Sequence, residues 1–366
     1  MALKPYAKHT HVYATHQATD LHLDVYLAQP IDPVTPKPII LWLHGGYLVR
    51  CPPPLTPTLP KPQLNHPQIT GTRSAIPTWL LNHALAQQWP LVSPDYRVLP
   101  ESTGLHTVDD VLSAYQWVAE SLTQLHPECR ADPTRIIVAG ASAGGWCALI
   151  TALHFSTPVD TIPVPCALFL LYAMTDPGSE KWAQRVSLPG ATVDPDTARE
   201  LLEDIPTRIA RGDVCLGEEF PKSEEELKTR KRLPLLYAIM EKGVYLDYLT
   251  GVDGFGKRVM SAGLEEVVGQ RAKQLFPLDF GEFGSGFPSS VVVHGTADGE
   301  VSCGESEKLV KRLEEGGVGV RYFPVLGADH VFDLELQECQ EGEGSSEEPS
   351  AVLYRALQVL RGYVNA

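Results

Sequence analysis

Two apolar runs, Pro38–Leu43 (PIILWL) and Arg135–Ala139 (RIIVA), each lead directly into glycine-rich turns. The first is followed by His44-Gly45-Gly46 and the second by Gly140-Ala141-Ser142-Ala143-Gly144. A strand without a polar face has to be covered on both sides, as in the interior of a parallel sheet. Further strands are expected at Leu91–Ser93, Ala167–Ala173, Ser290–His294 and Val320–Val325, after an antiparallel opening pair at Thr10–Thr15 and Leu21–Leu27. Helical segments fall between them at His106–Leu122, Gly145–Phe155, Glu305–Glu315 and Ala351–Tyr363. In the first of these, Val108, Val111, Leu112, Tyr115 and Val118 recur at helical spacing and offer one apolar face to a sheet. The alternation predicts an α/β fold with a mostly parallel central sheet flanked by helices.

Two segments break this rhythm. Residues 51–77 hold eight prolines, which excludes helix and central strand and predicts a Pro-rich loop directly after the His-Gly-Gly turn. Residues 175–287 separate two sheet strands by more than a hundred positions. Their apolar, aromatic stretch Arg230–Leu249 has weak helical periodicity, so this segment is expected to be a mostly helical lid over the strand ends. On this reading, residues 1–174 and 288–366 form the core and 175–287 the insertion. The acidic run Glu224–Glu226 and the basic run Lys228–Arg232 are expected on a solvated helix face, and the six glutamates of Glu335–Glu348 in a flexible surface loop.

Charge narrows the range of partners. With 30 Lys and Arg against 45 Asp and Glu, the formal charge is −15, which argues against nucleic acid or an anionic lipid surface. No apolar run approaches the length needed to cross a bilayer, and the first residues lack the apolar stretch of a secretory signal. Seven scattered cysteines without a CxxC pair point to reduced thiols, not a disulfide framework or a zinc site, and so to a cytoplasmic protein.

Gly140–Gly144 fits G-x-S-x-G. Alone the pattern is weak, since 19 Ser and 30 Gly in 366 residues give about 0.13 matches by chance. Its place between a buried strand and a helix is what raises it, because a sharp turn there lifts Ser142 clear of the sheet. A serine hydroxyl needs a base to take its proton, and the base needs a carboxylate to orient it. Asp298 follows the strand Val291–His294 and is the candidate acid, although it is also placed to cap the next turn and Glu300 competes with it. Of twelve histidines only His330 follows Asp298, which makes it the candidate base. Gly45 or Gly46, together with the N–H of Ala143, would form an oxyanion hole.

Together these motifs resemble the α/β-hydrolase fold and, within it, the hormone-sensitive-lipase-like esterases. The His-Gly-Gly turn, Asp95–Glu101 (DYRVLPE), GASAGG, HGTADGEV and GADH occur in that family's order. The resemblance implies a serine carboxylesterase without metal or organic cofactor, acting on small-molecule esters, with Asp95 and Arg97 holding the oxyanion loop. Where the family commonly has a third glycine this chain has Tyr47, whose ring would narrow the acyl side. Tyr47, Tyr237, Tyr245 and Tyr248 are the candidate substrate-contacting residues, while the oligomeric state is not legible. The leading expectation is hydrolysis of a carboxylic ester or lactone. Acyl transfer, or amide or carbon–carbon bond hydrolysis in secondary metabolism, would use the same triad, and a ligand-binding receptor would be expected to have lost a triad member.

Overall fold

A computed structural model describes residues 4–32, 34–48, 71–157, 161–186, 193–217, 231–341 and 347–365. Eight strands among them form one sheet: β1 (Tyr6–His16), β2 (Thr19–Ala28), β3 (Lys37–Leu43), β4 (Leu91–Pro94), β5 (Ala131–Ala141), β6 (Ala167–Leu171), β7 (Ser289–Gly295) and β8 (Val320–Val325). Their order is β1-β2-β4-β3-β5-β6-β7-β8. β2 is antiparallel to both of its neighbours, and every other pair is parallel.

The apolar runs are covered on both faces, as their composition requires. Along β3, Ile39, Leu41 and Leu43 enter one apolar cluster, while Ile40 and Trp42 enter another. The first cluster takes in helices Gly104–Glu120, Ala143–His154 and Cys303–Glu315; the second takes in Thr78–Gln87 and Pro349–Asn365. Helix Thr78–Gln87 has no counterpart in the sequence reading. It buries Thr78, Trp79, Leu80, Leu81, Asn82, Ala84 and Leu85, so it lacks the polar stripe that makes a helix legible.

Between β6 and β7 the described residues form helices and turns, the longest being Pro195–Ala210, Arg232–Lys242 and Phe255–Ala262. A few buried side chains join this segment to the sheet domain. Glu101 is ion-paired with both Arg208 and Arg232. The indole N–H of Trp146 donates to the Leu275 carbonyl at 2.9 Å, and Glu305 accepts the N–H groups of Thr175 and Asp176, each at 2.9 Å. Burial pushes the Glu305 carboxyl up to about 7. Arg232 corrects the expectation of a solvated basic run: it is buried, because Glu101 satisfies its charge inside the protein. Glu224–Glu226 and Lys228–Arg230 lie outside the described residues, as do residues 342–346 of the glutamate-rich stretch and 51–70 of the Pro-rich segment. The returning arm, 71–77, is packed down. Arg73 ion-pairs with Asp95 and Asp24, and the Ala75 carbonyl accepts from the Trp42 indole at 2.8 Å. No helix among the described residues is long and apolar enough to cross a membrane.

Candidate active site

β3, β5, β7 and β8 are parallel, so the loops that leave their carboxyl ends share one edge of the sheet. His44–Leu48 follows β3, Ser142 follows β5, Asp298 follows β7 and His330 follows β8. Ser142 sits at φ 54°, ψ −125°, a conformation costly for a residue with a side chain, between strand and helix. Its two flanking glycines are required by close backbone approach. A Cβ on Gly140 would lie 2.1 Å from the Gly144 carbonyl oxygen, and one on Gly144 would lie 2.1 Å from that of Leu43. The turn is therefore wedged against the end of β3, beside Gly45.

His330 Nε2 lies 3.1 Å from Ser142 Oγ, and His330 Nδ1 lies 2.7 Å from Asp298 Oδ2. Asp298 spends its other oxygen on the N–H groups of Glu300 and Val301, at 2.9 and 2.8 Å, and Oδ2 is also 3.1 Å from His294 Nε2. Burial alone would raise the Asp298 pKa, but hydrogen bonds from His294 and His330, then the charge on His330, hold it well below the ordinary carboxylate range. For His330, burial works against the charged form and is outweighed by the hydrogen bond and charge of Asp298, then by Glu300 and Asp329, so its pKa is raised. Glu300 approaches the other ring nitrogen, with Oε2 3.9 Å from Nε2, so the carboxylate on Nδ1 is Asp298.

The turn after β3 is held from two segments, the loop after β4 and the helix that carries Tyr245. Tyr96 donates its hydroxyl to the His44 carbonyl and stacks its ring on His44 at 4.2 Å. Tyr245 donates to the Tyr47 carbonyl at 3.0 Å, and the Leu99 N–H donates to the Leu48 carbonyl at 2.6 Å. Gly46 adopts φ 123°, which suits glycine alone, and Ala143 opens its helix, so its N–H is one of the donors that a helix start leaves without an internal partner. His44 is fully buried, and burial lowers its pKa to about 4.

Residues 69–205 match the family model described as alpha/beta hydrolase fold. Esterase LipW from Mycobacterium marinum aligns with a TM-score of 0.56 and 17% identity, over 98% of this chain and 82% of that one. The chain has the α/β-hydrolase fold. The chain is also 26% identical to lipase 2 of Moraxella sp. (strain TA144) over 258 residues, 70% of this chain and 50% of that protein. It is 25% identical to the non-reducing polyketide synthase Preu6 of Preussia isomera over 340 residues, 90% of this chain and 14% of that one. It thus spans half or less of the length of these curated relatives.

The four candidate tyrosines occupy different settings. Tyr47 is buried, with its hydroxyl 2.8 Å from Glu300 Oε2 and its ring edge-on to Trp182. Tyr245 supports Tyr47 from behind. Tyr237 packs in the large apolar cluster. Tyr248 lines a groove with Leu202, Lys242, Val244 and Met260, to which Ser142, Asp298 and His330 do not contribute. Asp95 and Arg97 anchor the segment from which Tyr96, between them, reaches the turn after β3. Asp95 binds Arg73, and Arg97 grips Asp110 with bonds of 2.8 and 2.7 Å. Sequence reasoning also missed Asp333, which accepts from Trp79 at 2.7 Å and from Tyr172 at 2.8 Å. The Tyr172 ring lies edge-on to His330 at 4.8 Å, so Asp333 braces the wall behind the imidazole. A lone aspartate three residues beyond His330 carries no signal of that role.

Proposed function

We propose that this chain is a serine hydrolase that cleaves a carboxylic ester or lactone of a small or medium-sized metabolite through an acyl-enzyme. Ser142 Oγ adds to the acyl carbon while His330 Nε2 takes its proton, and Asp298 compensates the imidazolium that forms. The N–H of Ala143, with that of Gly45 or Gly46, meets the oxyanion. The bond from acyl carbon to leaving oxygen then breaks as His330 passes its proton to that oxygen. Water attacks the acyl-enzyme, gives a proton to His330, and the acid departs as Ser142 Oγ is reprotonated. The observation that carries this reading is the continuous relay from Asp298 through His330 to Ser142, with contacts of 2.7 and 3.1 Å.

The similarity to polyketide synthases favours a second reading, in which the same acyl-enzyme transfers its acyl group, or is tailored to a metabolite of secondary metabolism. The helical segment 175–287 acts as the lid in either case, supported by its contact with Tyr47 through Tyr245. Free cysteines at 129, 147, 166, 215, 303 and 339 support a reducing, cytoplasmic setting.

The test is hydrolysis of a nitrophenyl acetate together with labelling by a fluorophosphonate. The wild type is expected to turn over and to be labelled, and Ser142→Ala to lose both, with kcat down roughly 10³-fold or more. Wild-type turnover in Ser142→Ala would overturn the assignment. An added acceptor alcohol that diverts the acyl group into a new ester would favour transfer.

A further inference from the structure

Relay and oxyanion turn leave one charged group of the site without a task. Glu300 lies two residues past Asp298, and its side chain keeps only 11% of its exposure. Asp298 Oδ1 fixes the backbone there by accepting the Glu300 and Val301 N–H groups, and Lys181 holds the Glu300 carbonyl from the helical segment. The carboxylate is thereby pinned with Oε2 2.8 Å from the Tyr47 hydroxyl and 3.9 Å from His330 Nε2. It is on the face of the imidazole that exchanges protons with substrate. A leaving oxygen has to come within about 3 Å of Nε2 to receive its proton. It therefore stands no more than about 7 Å from Glu300 Oε2, within reach of a donor group carried beside it.

We propose that Glu300, oriented by Tyr47, is the specificity-determining residue for the leaving group, selecting esters whose alcohol or phenol carries a second hydroxyl near the scissile oxygen and rejecting those that carry a carboxylate there. The inference rests on the serine-hydrolase reading above. Its chemistry is that of a largely buried acceptor. An ionised carboxylate has about four lone-pair positions and the Tyr47 hydroxyl takes one, so a substrate hydroxyl supplies a further charge-assisted hydrogen bond. An anionic leaving group would instead meet the Glu300 carboxylate on the Nε2 side of His330, with Lys181, bound to the Glu300 carbonyl, as the nearby cation.

The proposal is tested by kcat/KM for phenyl acetate, 2-hydroxyphenyl acetate and 2-carboxyphenyl acetate with wild type, Glu300→Gln and Tyr47→Phe. Each variant is read as a ratio to its own phenyl acetate value, which removes any common effect on the relay. In Glu300→Gln the 2-hydroxyphenyl preference should fall about fivefold and the 2-carboxyphenyl penalty should shrink by a similar factor. Tyr47→Phe removes the hydroxyl that orients the carboxylate, so the 2-hydroxyphenyl preference should fall about twofold. A Glu300→Gln protein that shifts all three esters by one factor overturns the proposal, because Glu300 would then act only through His330. If Glu300→Gln does not fold, Tyr47→Phe decides alone, and an unchanged or raised preference overturns it. Failure of the wild type to cleave phenyl acetate or to take a fluorophosphonate label would instead overturn the underlying serine-hydrolase reading.

Discussion

At the carboxyl edge of the sheet, functional groups are positioned by main chain, whereas in the helical segment between β6 and β7 they are positioned by a few side chains. Ser142 is held because Gly140 and Gly144 let two backbones meet at distances that no Cβ would tolerate. Asp298 is held by two backbone N–H groups of its own turn. The helical segment reaches the same site through Tyr245, whose hydroxyl binds the Tyr47 carbonyl, and through Arg208 and Arg232, which share Glu101. The difference shows where change is tolerated. A backbone wedge accepts almost no substitution, while a single tethering hydroxyl such as that of Tyr245 can be removed at a modest cost.

The comparison is tested most severely at the sheet edge. His330→Ala should lower kcat roughly 10³-fold or more while circular dichroism stays native, because the proposed relay makes this imidazole the base. The wild-type rate should rise with pH through a titration above the ordinary imidazole value of about 6.5, since only neutral His330 accepts the serine proton and Asp298 stabilises the protonated form. An acid limb well below that value would contradict the described hydrogen bond.

At the junction, Glu101→Gln should cost about 3 kcal/mol of stability in denaturant unfolding, because it leaves buried Arg232 without its carboxylate. The loss should exceed any effect on KM for a small acetate. A larger effect on KM than on stability would mean that the tether shapes the pocket directly.

Smaller changes are expected inside the helical segment. Tyr245→Phe removes one hydroxyl from the Tyr47 carbonyl and should slow turnover about fivefold, with roughly 1 kcal/mol of stability lost. Tyr248→Ala should alter turnover and ester selectivity by less than about twofold, because Ser142, Asp298 and His330 do not line its groove. A selectivity change at Tyr248 equal to that at Tyr245 would erase the distinction between the two sides of this segment.

Much of the sheet was legible because strands covered on both faces have to be apolar throughout, and the turns at their ends have to contain glycine. That is why β3 and β5, with the turns that carry Ser142 and Gly45, could be placed from residues alone. His330 followed from chain order, as no other histidine succeeds Asp298. The role of Glu300 was not legible. Asp298 and Glu300 are both acidic and two residues apart, and only the fold directs the first to Nδ1 and the second toward Nε2. Tyr96, Asp333 and the buried Arg232–Glu101 pair were hidden for a related reason, since each works through a partner distant in sequence. Periodicity and turn chemistry are local properties, so they determine which segments form strands, helices and sharp turns. Which side chain meets which across the sheet edge depends on strand order and on packing between distant segments, and that was decided by the tertiary structure.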